Sequence, residues 1–328
     1  MLGPLRARLR RLAGAPLCEV HVPIAPTPVF LLRVRLLAAS LARYSGLDCR
    51  LVVTVSRDVE PYDLHAAEPW SRLSGVEWRW MSRSDYAELG MWGTAMKRFT
   101  YDFERPFVLM LDADTLCTGS LAELPALAAD GIAGVMAWVT PMHDPPPFRD
   151  GRTRTAEQLW NDLHAHAGLP APSLDHEHPG WRIMPGAPDD HRRAPAYFNL
   201  GMLAGSAAAM RTVGARVLPD LHVVDTFVDT RFRCQLGLTL SAAHCGVPLV
   251  PLPLRFNFPN SPWFWDGHPD DRDVRLLHYA NTEEIDREQL RELADLEAIT
   301  RRDDLTPPNT LFAERIGSLL STLREGAR

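Results

Sequence analysis

The chain has 328 residues, is 46% hydrophobic and 23% charged, and carries a formal net charge of −6. That length suits one large α/β domain or two small ones with a core of ordinary size. The acidic balance speaks against a nucleic-acid binder, which needs a basic face, and no apolar run reaches the roughly 18 residues that span a bilayer.

Residues 1–17 read as a basic leader, with Arg6, Arg8, Arg10 and Arg11 and no apolar segment behind them. A secretory signal needs such a segment. The reading is a solvated leader on a cytoplasmic protein, which could at most rest on a membrane surface as a short basic helix. The first strand is expected at 18–24. A helix follows from Val29 to Tyr44, with Pro28 at its start and Gly46 at its stop. Arg50–Val55 and Gly75–Trp80 read as strands, and 83–101 as a helix. Phe107–Leu111 is the clearest strand, five apolar residues that run into Asp112-Ala-Asp114. Beyond it, 120–130 looks helical and Ile132–Val139 extended. Residues 140–195 read as an insertion rich in Pro and His around one helix, 154–167. Tyr197–Leu203 returns to strand, 228–246 is helical, 248–254 is extended, and Val274–Tyr279 is a last short strand. The tail 283–328 carries two amphipathic helices, near 283–296 and 309–325. Strands alternating with helices predict an α/β fold with parallel crossovers. In such sheets ligands bind beyond the carboxyl ends of the strands.

Five cysteines, Cys18, Cys49, Cys117, Cys234 and Cys245, are odd in number and never spaced as C-x-x-C. They read as free, mostly buried thiols in a reducing compartment. Two D-x-D tripeptides occur, Asp112/Asp114 and Asp271/Asp273, about as many as chance gives. Position separates them. The second sits in a polar stretch and reads as a solvated turn. The first ends an apolar strand, where alternate side chains point to one side. Two carboxylates held that close repel unless a cation lies between them, and Mn²⁺ or Mg²⁺ prefers such oxygen ligands. Capping of a following helix is the plainer role for the pair.

FVLMLDADTLCTGSLAEL resembles the D-x-D segment of GT-A glycosyltransferases, in particular glycosyltransferase family 8, which includes glycogenin and bacterial galactosyltransferases. Three further stretches agree in order. Tyr197-Phe-Asn-Leu-Gly201 is similar to that family's Y-F-N-x-G strand. Cys234-Gln235, followed later by PLVPLPLRFNF, resembles its D-Q-D helix and the segment after it. Arg-Leu-Leu-His278-Tyr is similar to its late histidine motif. The resemblance covers 18–282 and implies a single GT-A catalytic domain. This would be a Rossmann-like α/β/α sandwich around a mixed, mostly parallel sheet, with a nucleotide-sugar half at 18–117.

The resemblance implies roles. Asp112, Asp114 and His278 would hold Mn²⁺ or Mg²⁺. Ala25, Thr27, Arg57, Lys97, Arg98, Asp112 and Ala113 would bind the donor, a nucleoside-diphosphate sugar with UDP implied, and Asp58 would lie near its base or ribose. Asn199 and Gln235 would stand at the transferred hexose, with retention of anomeric configuration. Here Cys234 and Leu236 replace two acids of D-Q-D, and Ala280-Asn-Thr-Glu-Glu replaces the family's Gly and Lys-Pro-Trp. A different cation must then meet the diphosphate, with Lys97, Arg98 and Arg255 as candidates.

The insertion holds His164-Ala-His166 and Asp175-His-Glu-His178, with His143 and His191 nearby, but no third zinc ligand at a recognisable spacing. It reads instead as a wall for the unknown saccharide, lipid or small-molecule acceptor. Trp138, Trp160, Trp181, Trp263 and Trp265 could stack on sugar rings or simply pack. There is no G-x-G-x-x-G, no G-x-x-x-x-G-K-[ST] and no G-x-S-x-G. The rival functions are a sugar nucleotidyltransferase, whose Gly-rich basic loop VPIAPTP lacks, and a catalytically silent nucleotide-sugar binder.

Overall fold

A computed structural model describes residues 17–87, 95, 96, 99, 102–143, 147–183 and 191–325. The chain opens with β1 (Leu17–Ile24), α1 (Pro28–Tyr44), β2 (Asp48–Val55) and β3 (Glu77–Trp80). Helix α1 starts where expected because Thr27 Oγ1 accepts from the Phe30 N–H at 3.5 Å and Pro28 takes the first turn. Gly46, at φ +71°, turns the chain out of it towards β2. Next come β4 (Phe107–Leu111), β5 (Thr115–Cys117) and β6 (Ile132–Met136). The insertion contributes α2 (Ala156–His166), closed by a capping box between Thr155 and Gln158, and the short pair β7 (His176–Glu177) and β8 (Arg193–Ala194). Then follow β9 (Phe198–Ser206), α3 (Ala207–Phe227), α4 (Arg233–Cys245), β10 (Leu249–Leu252), β11 (Phe258–Pro259), α5 (Pro262–Gly267) and β12 (Leu276–His278). The tail adds α6 (Leu293–Ile299) and α7 (Pro307–Glu325).

Seven strands form the main sheet in the order β10-β6-β9-β4-β1-β2-β3. All run parallel except β9, which pairs antiparallel with both β4 and β6. A second sheet of β11-β12-β5 stands at the end of β4. Strand periodicity divides the core in two. Phe107, Leu109 and Leu111 of β4 pack on one face with α1 and the tail, while Val108 and Met110 pack on the other with α2, α3 and α4. The result is the expected α/β/α architecture with a mixed, mostly parallel sheet.

Several elements differ from the sequence reading. Residues 207–227 form a 21-residue helix that the pattern does not announce, because Gly214 and Pro219 interrupt it. Gly214 is a packing requirement: a Cβ there would lie 2.2 Å from the Phe99 carbonyl oxygen. The helix expected at 228–246 begins only at Arg233, after Val228 turns extended. The helix expected at 120–130 shrinks to Leu124–Leu127. The first tail helix lies at 293–299, later than expected. Most of the helix expected at 83–101 lies outside the described residues. No helix among the described residues is long and apolar enough to cross a membrane.

Candidate functional site

Because β1, β2 and β4 are parallel, their carboxyl ends share one edge of the sheet, and antiparallel β9 brings its start to the same edge. Ala25 and Thr27 follow β1, Arg57 follows β2, Asp112 and Asp114 follow β4, and Asn199 opens β9. The acidic pair does not continue the strand, as the sequence reading assumed. Thr115 Oγ1 donates to the Asp112 carbonyl at 2.8 Å and closes a turn that carries the chain into β5. The Asp112 N–H meanwhile donates to the Gly201 carbonyl at 3.1 Å. Antiparallel pairing of β5 with β12 sets His278 opposite Thr115, and the Tyr279 N–H donates to the Asp114 carbonyl at 3.0 Å. One ligand atom from each of Asp112, Asp114 and His278 falls within 4.8 Å of the others. Two carboxylates and one imidazole are a suitable donor set for Mn²⁺ or Mg²⁺.

The imidazole is oriented by a chain of hydrogen bonds. The Gly201 N–H donates to Asn199 Oδ1 at 2.8 Å, so that atom is an acceptor. Asn257 Nδ2 donates to the same oxygen at 3.0 Å. Asn257 Oδ1 therefore faces His278 Nδ1, at 3.1 Å, and Nδ1 carries the proton. In the neutral ring Nε2 is then left with its lone pair, 3.3 Å from Asp114 Oδ1. A ligating histidine is usually oriented through its other nitrogen in this way. Gly201 leaves room for the ring, because a Cβ there would lie 2.4 Å from His278 Nδ1. On another side stands Trp138, its ring centroid 5.2 Å from that of His278, with an indole N–H that has no hydrogen-bond partner among the described residues.

Asp114 is 9% exposed. Burial alone would raise its pKa. A His278 ring protonated at Nε2, together with the charges of Arg287 and Arg33, outweighs burial and holds the carboxyl well below the usual range. Arg287 Nη1 donates to Asp114 Oδ2. Arg33 Nη2 donates to the Arg287 carbonyl at 2.8 Å and to Glu288 Oε1 at 2.9 Å. Neither arginine stands out in the sequence. Their meeting requires the tail to fold back over α1, across 254 positions.

The other expected residues fall as follows. Ala113 is buried, and its carbonyl accepts from the Tyr279 hydroxyl at 3.4 Å. Arg57 pairs with Glu60 at 3.3 Å. Arg255 pairs with Glu123 at 3.7 Å and lies over the Phe256 ring. Lys97 and Arg98 lie outside the described residues. Gln235 sits in the first turn of α4, which packs on β9, and its Oε1 is buried without a hydrogen-bond partner among the described residues. The insertion histidines go to separate places: His164 Nδ1 to the Pro170 carbonyl at 3.0 Å, His166 to Thr226 at 3.1 Å, and His178 Nδ1 to the Ala137 carbonyl at 2.7 Å. Burial lowers the His178 pKa to about 4. Trp160 is fully buried against Tyr197, Trp181 lies beneath Arg192, Trp265 packs on Phe258, and Trp263 is 67% exposed. Asp273 pairs with Arg275 at 2.6 Å on the surface, as a solvated turn should.

No protein-family model and no curated protein matches the sequence. Solved structures do match in fold. The galactosyltransferase LgtC, in complex with donor and acceptor sugar analogues, superimposes with a TM-score of 0.52 and 15% identity over 93% of this chain and 95% of that one. An active-site variant of LgtC, glutamine to glutamate, gives a TM-score of 0.52 at 14% identity. The bifunctional glycosyltransferase WbbM, in its apo form, gives 0.54 at 14% identity over 94% of this chain and 51% of that one. The chain thus spans about half the length of WbbM. The fold is the GT-A fold. The resemblance drawn from the four motifs is met by a structural likeness over most of the chain, at low identity.

Proposed function

We propose that the chain is a glycosyltransferase that moves a hexose from a nucleoside-diphosphate sugar, with UDP as the nucleotide, to a saccharide, lipid or small-molecule acceptor. The observation that carries this reading is the Asp112–Asp114–His278 group at the carboxyl edge of a fold shared with sugar transferases. Asp112, Asp114 and His278 Nε2 would hold Mn²⁺ or Mg²⁺, which when bound supplies positive charge for a diphosphate leaving group. The chain's own residues do the rest. Ala25, Thr27 and Arg57 line the same edge, where a nucleoside can lie. Asn199 has both acceptor positions of its Oδ1 occupied by Gly201 and Asn257, which leaves its amide hydrogens for a sugar hydroxyl. Gln235 Oε1, buried and without a hydrogen-bond partner among the described residues, would supply an oxygen to an oxocarbenium-like sugar. A glutamine is also the altered active-site residue in the LgtC variant.

The test is a thermal-shift panel of UDP, GDP, CDP and dTDP with Mn²⁺, Mg²⁺ or EDTA, on the wild type and on Asp114→Asn. Ligands that bind only the folded state raise the melting temperature by mass action. One diphosphate should stabilise the wild type only with metal, and Asp114→Asn should abolish the shift. No shift from any diphosphate would sink the reading.

A further inference from the structure

Arg287 stands on the carboxylate that a cation would need. Its Nη1 donates to Asp114 Oδ2, while Asp114 Oδ1 faces His278. It is fixed there by its neighbours. The turn Arg287–Gln289 is capped by Asp286, whose Oδ1 accepts from the Glu288 N–H at 3.0 Å. Arg33, 3% exposed, reaches up from α1 to the Arg287 carbonyl and the Glu288 carboxylate, with its guanidinium 4.9 Å from the Phe30 ring centroid. Glu288 Oε1 lies 3.4 Å from Arg287 Nε.

A divalent ion held by Asp112, Asp114 and His278 must draw on the same carboxylate. It would take up the charge that Arg287 now neutralises, and it would repel the guanidinium. Once the ion is in place, Arg287 loses the carboxylate that neutralises it. The guanidinium then needs a new anion, and its planar fork of donors matches the oxygens of a diphosphate.

We propose that Arg287 is first a guard and then a clamp. It neutralises Asp114 when no metal is bound, is displaced by the divalent ion, and passes to the diphosphate that the ion holds. The inference rests on the donor-site reading above. Metal and diphosphate then bind cooperatively, because the ion releases Arg287 from Asp114 and the diphosphate gives it a new anion, and such coupling is reciprocal.

The test is a Mn²⁺ titration followed by the electron paramagnetic resonance signal of the free ion, with and without saturating UDP. Wild type is compared with Arg287→Gln, Arg287→Lys, Arg275→Gln, which removes a cation paired with Asp273, and Asp114→Asn. Removing the guard should make Arg287→Gln bind Mn²⁺ alone about ten-fold tighter than wild type, and UDP should then improve Mn²⁺ affinity about ten-fold less. Arg287→Lys keeps the charge without the fork and should fall between. Arg275→Gln should behave as wild type. The proposal is overturned if Arg287→Gln leaves Mn²⁺ affinity unchanged or weakens it, or if Arg275→Gln tightens it equally, which would mark a general charge effect. If Mn²⁺ binds Asp114→Asn as well as wild type, or binds neither, the donor-site reading falls and the proposal with it.

Discussion

A methyl group on Gly201 would come within 2.4 Å of His278 Nδ1 and 2.9 Å of Asn199 Oδ1. Neither neighbour can yield without breaking the hydrogen-bond chain that aims Nε2 at the acidic pair. Gly201→Ala should therefore weaken Mn²⁺ binding by about 10- to 100-fold, the usual cost of disturbing groups behind a metal ligand. The overpacking should also cost about 1–3 kcal/mol in urea unfolding. Asn257→Ala removes the partner of Nδ1 without adding bulk and should give the same loss of affinity. Retained wild-type Mn²⁺ affinity in both variants would show that the chain of amides does not orient the imidazole. At this scale the sequence shows the groups that lie within one motif. Asp112, Asp114, Asn199 and His278 announce themselves by short context. Asn257 lies inside a recognised segment, but its role appears only once the fold brings it between Asn199 of β9 and His278 of β12. Arg33 and Arg287 carry no local signal, because their site exists only through contacts between distant segments.

Between elements, the junction of β1 with the entry to β4 shows how a buried charge is kept. Glu19 and His21 are both fully buried, with Oε1 and Nε2 at 2.7 Å. The N–H groups of Glu104 and Arg105 donate to Glu19 Oε2 at 2.8 and 3.2 Å. Burial pushes the Glu19 pKa up, but the His21 bond and these backbone donors outweigh it and bring the value down to about 2. The folded-state pKa is depressed, so the pair's stabilisation is complete above the ordinary value of 4.5 and is lost as pH falls towards about 2. Urea titrations should show stability declining across that window. Glu19→Gln should flatten the decline and cost on the order of 3 kcal/mol near neutral pH. An unchanged acid limb in the variant would assign the decline to other groups. Elements with uninterrupted periodicity, such as β4 and α1, were legible from sequence. Helix α3 was not, since Gly214 serves its packing on Phe99 and Pro219 breaks its pattern, and both read as stops without the tertiary context.

For the molecule as a whole, the tail is part of the core. Phe312, Ile316, Leu319 and Leu323 of α7 are buried in the same cluster as Leu36 and Leu37 of α1. Phe312 packs against Tyr279, the residue after the candidate metal ligand, with ring centroids 4.7 Å apart. A polar knot fastens the same region: Glu284 Oε2 accepts from Thr306 Oγ1 and Asn309 Nδ2, both at 2.7 Å, and Asn309 Oδ1 accepts from Asn260 Nδ2 at 2.9 Å. Ile316→Ala should therefore lower global stability by about 2–5 kcal/mol, as for any well-packed core residue, measured by chemical unfolding. A negligible change would mean that α7 is docked too loosely to matter. The β5–β12 pairing has one more consequence, for the order in which the chain is made. Asp114 and Arg287 are 173 residues apart. During translation the acidic pair leaves the ribosome well before His278, and it must wait for its imidazole and for Arg287 while the middle of the chain emerges. Such distant pairings form late in folding. A nascent chain released before β12 would carry both carboxylates and no means of closing the site, so capture of an ion would mark a finished molecule.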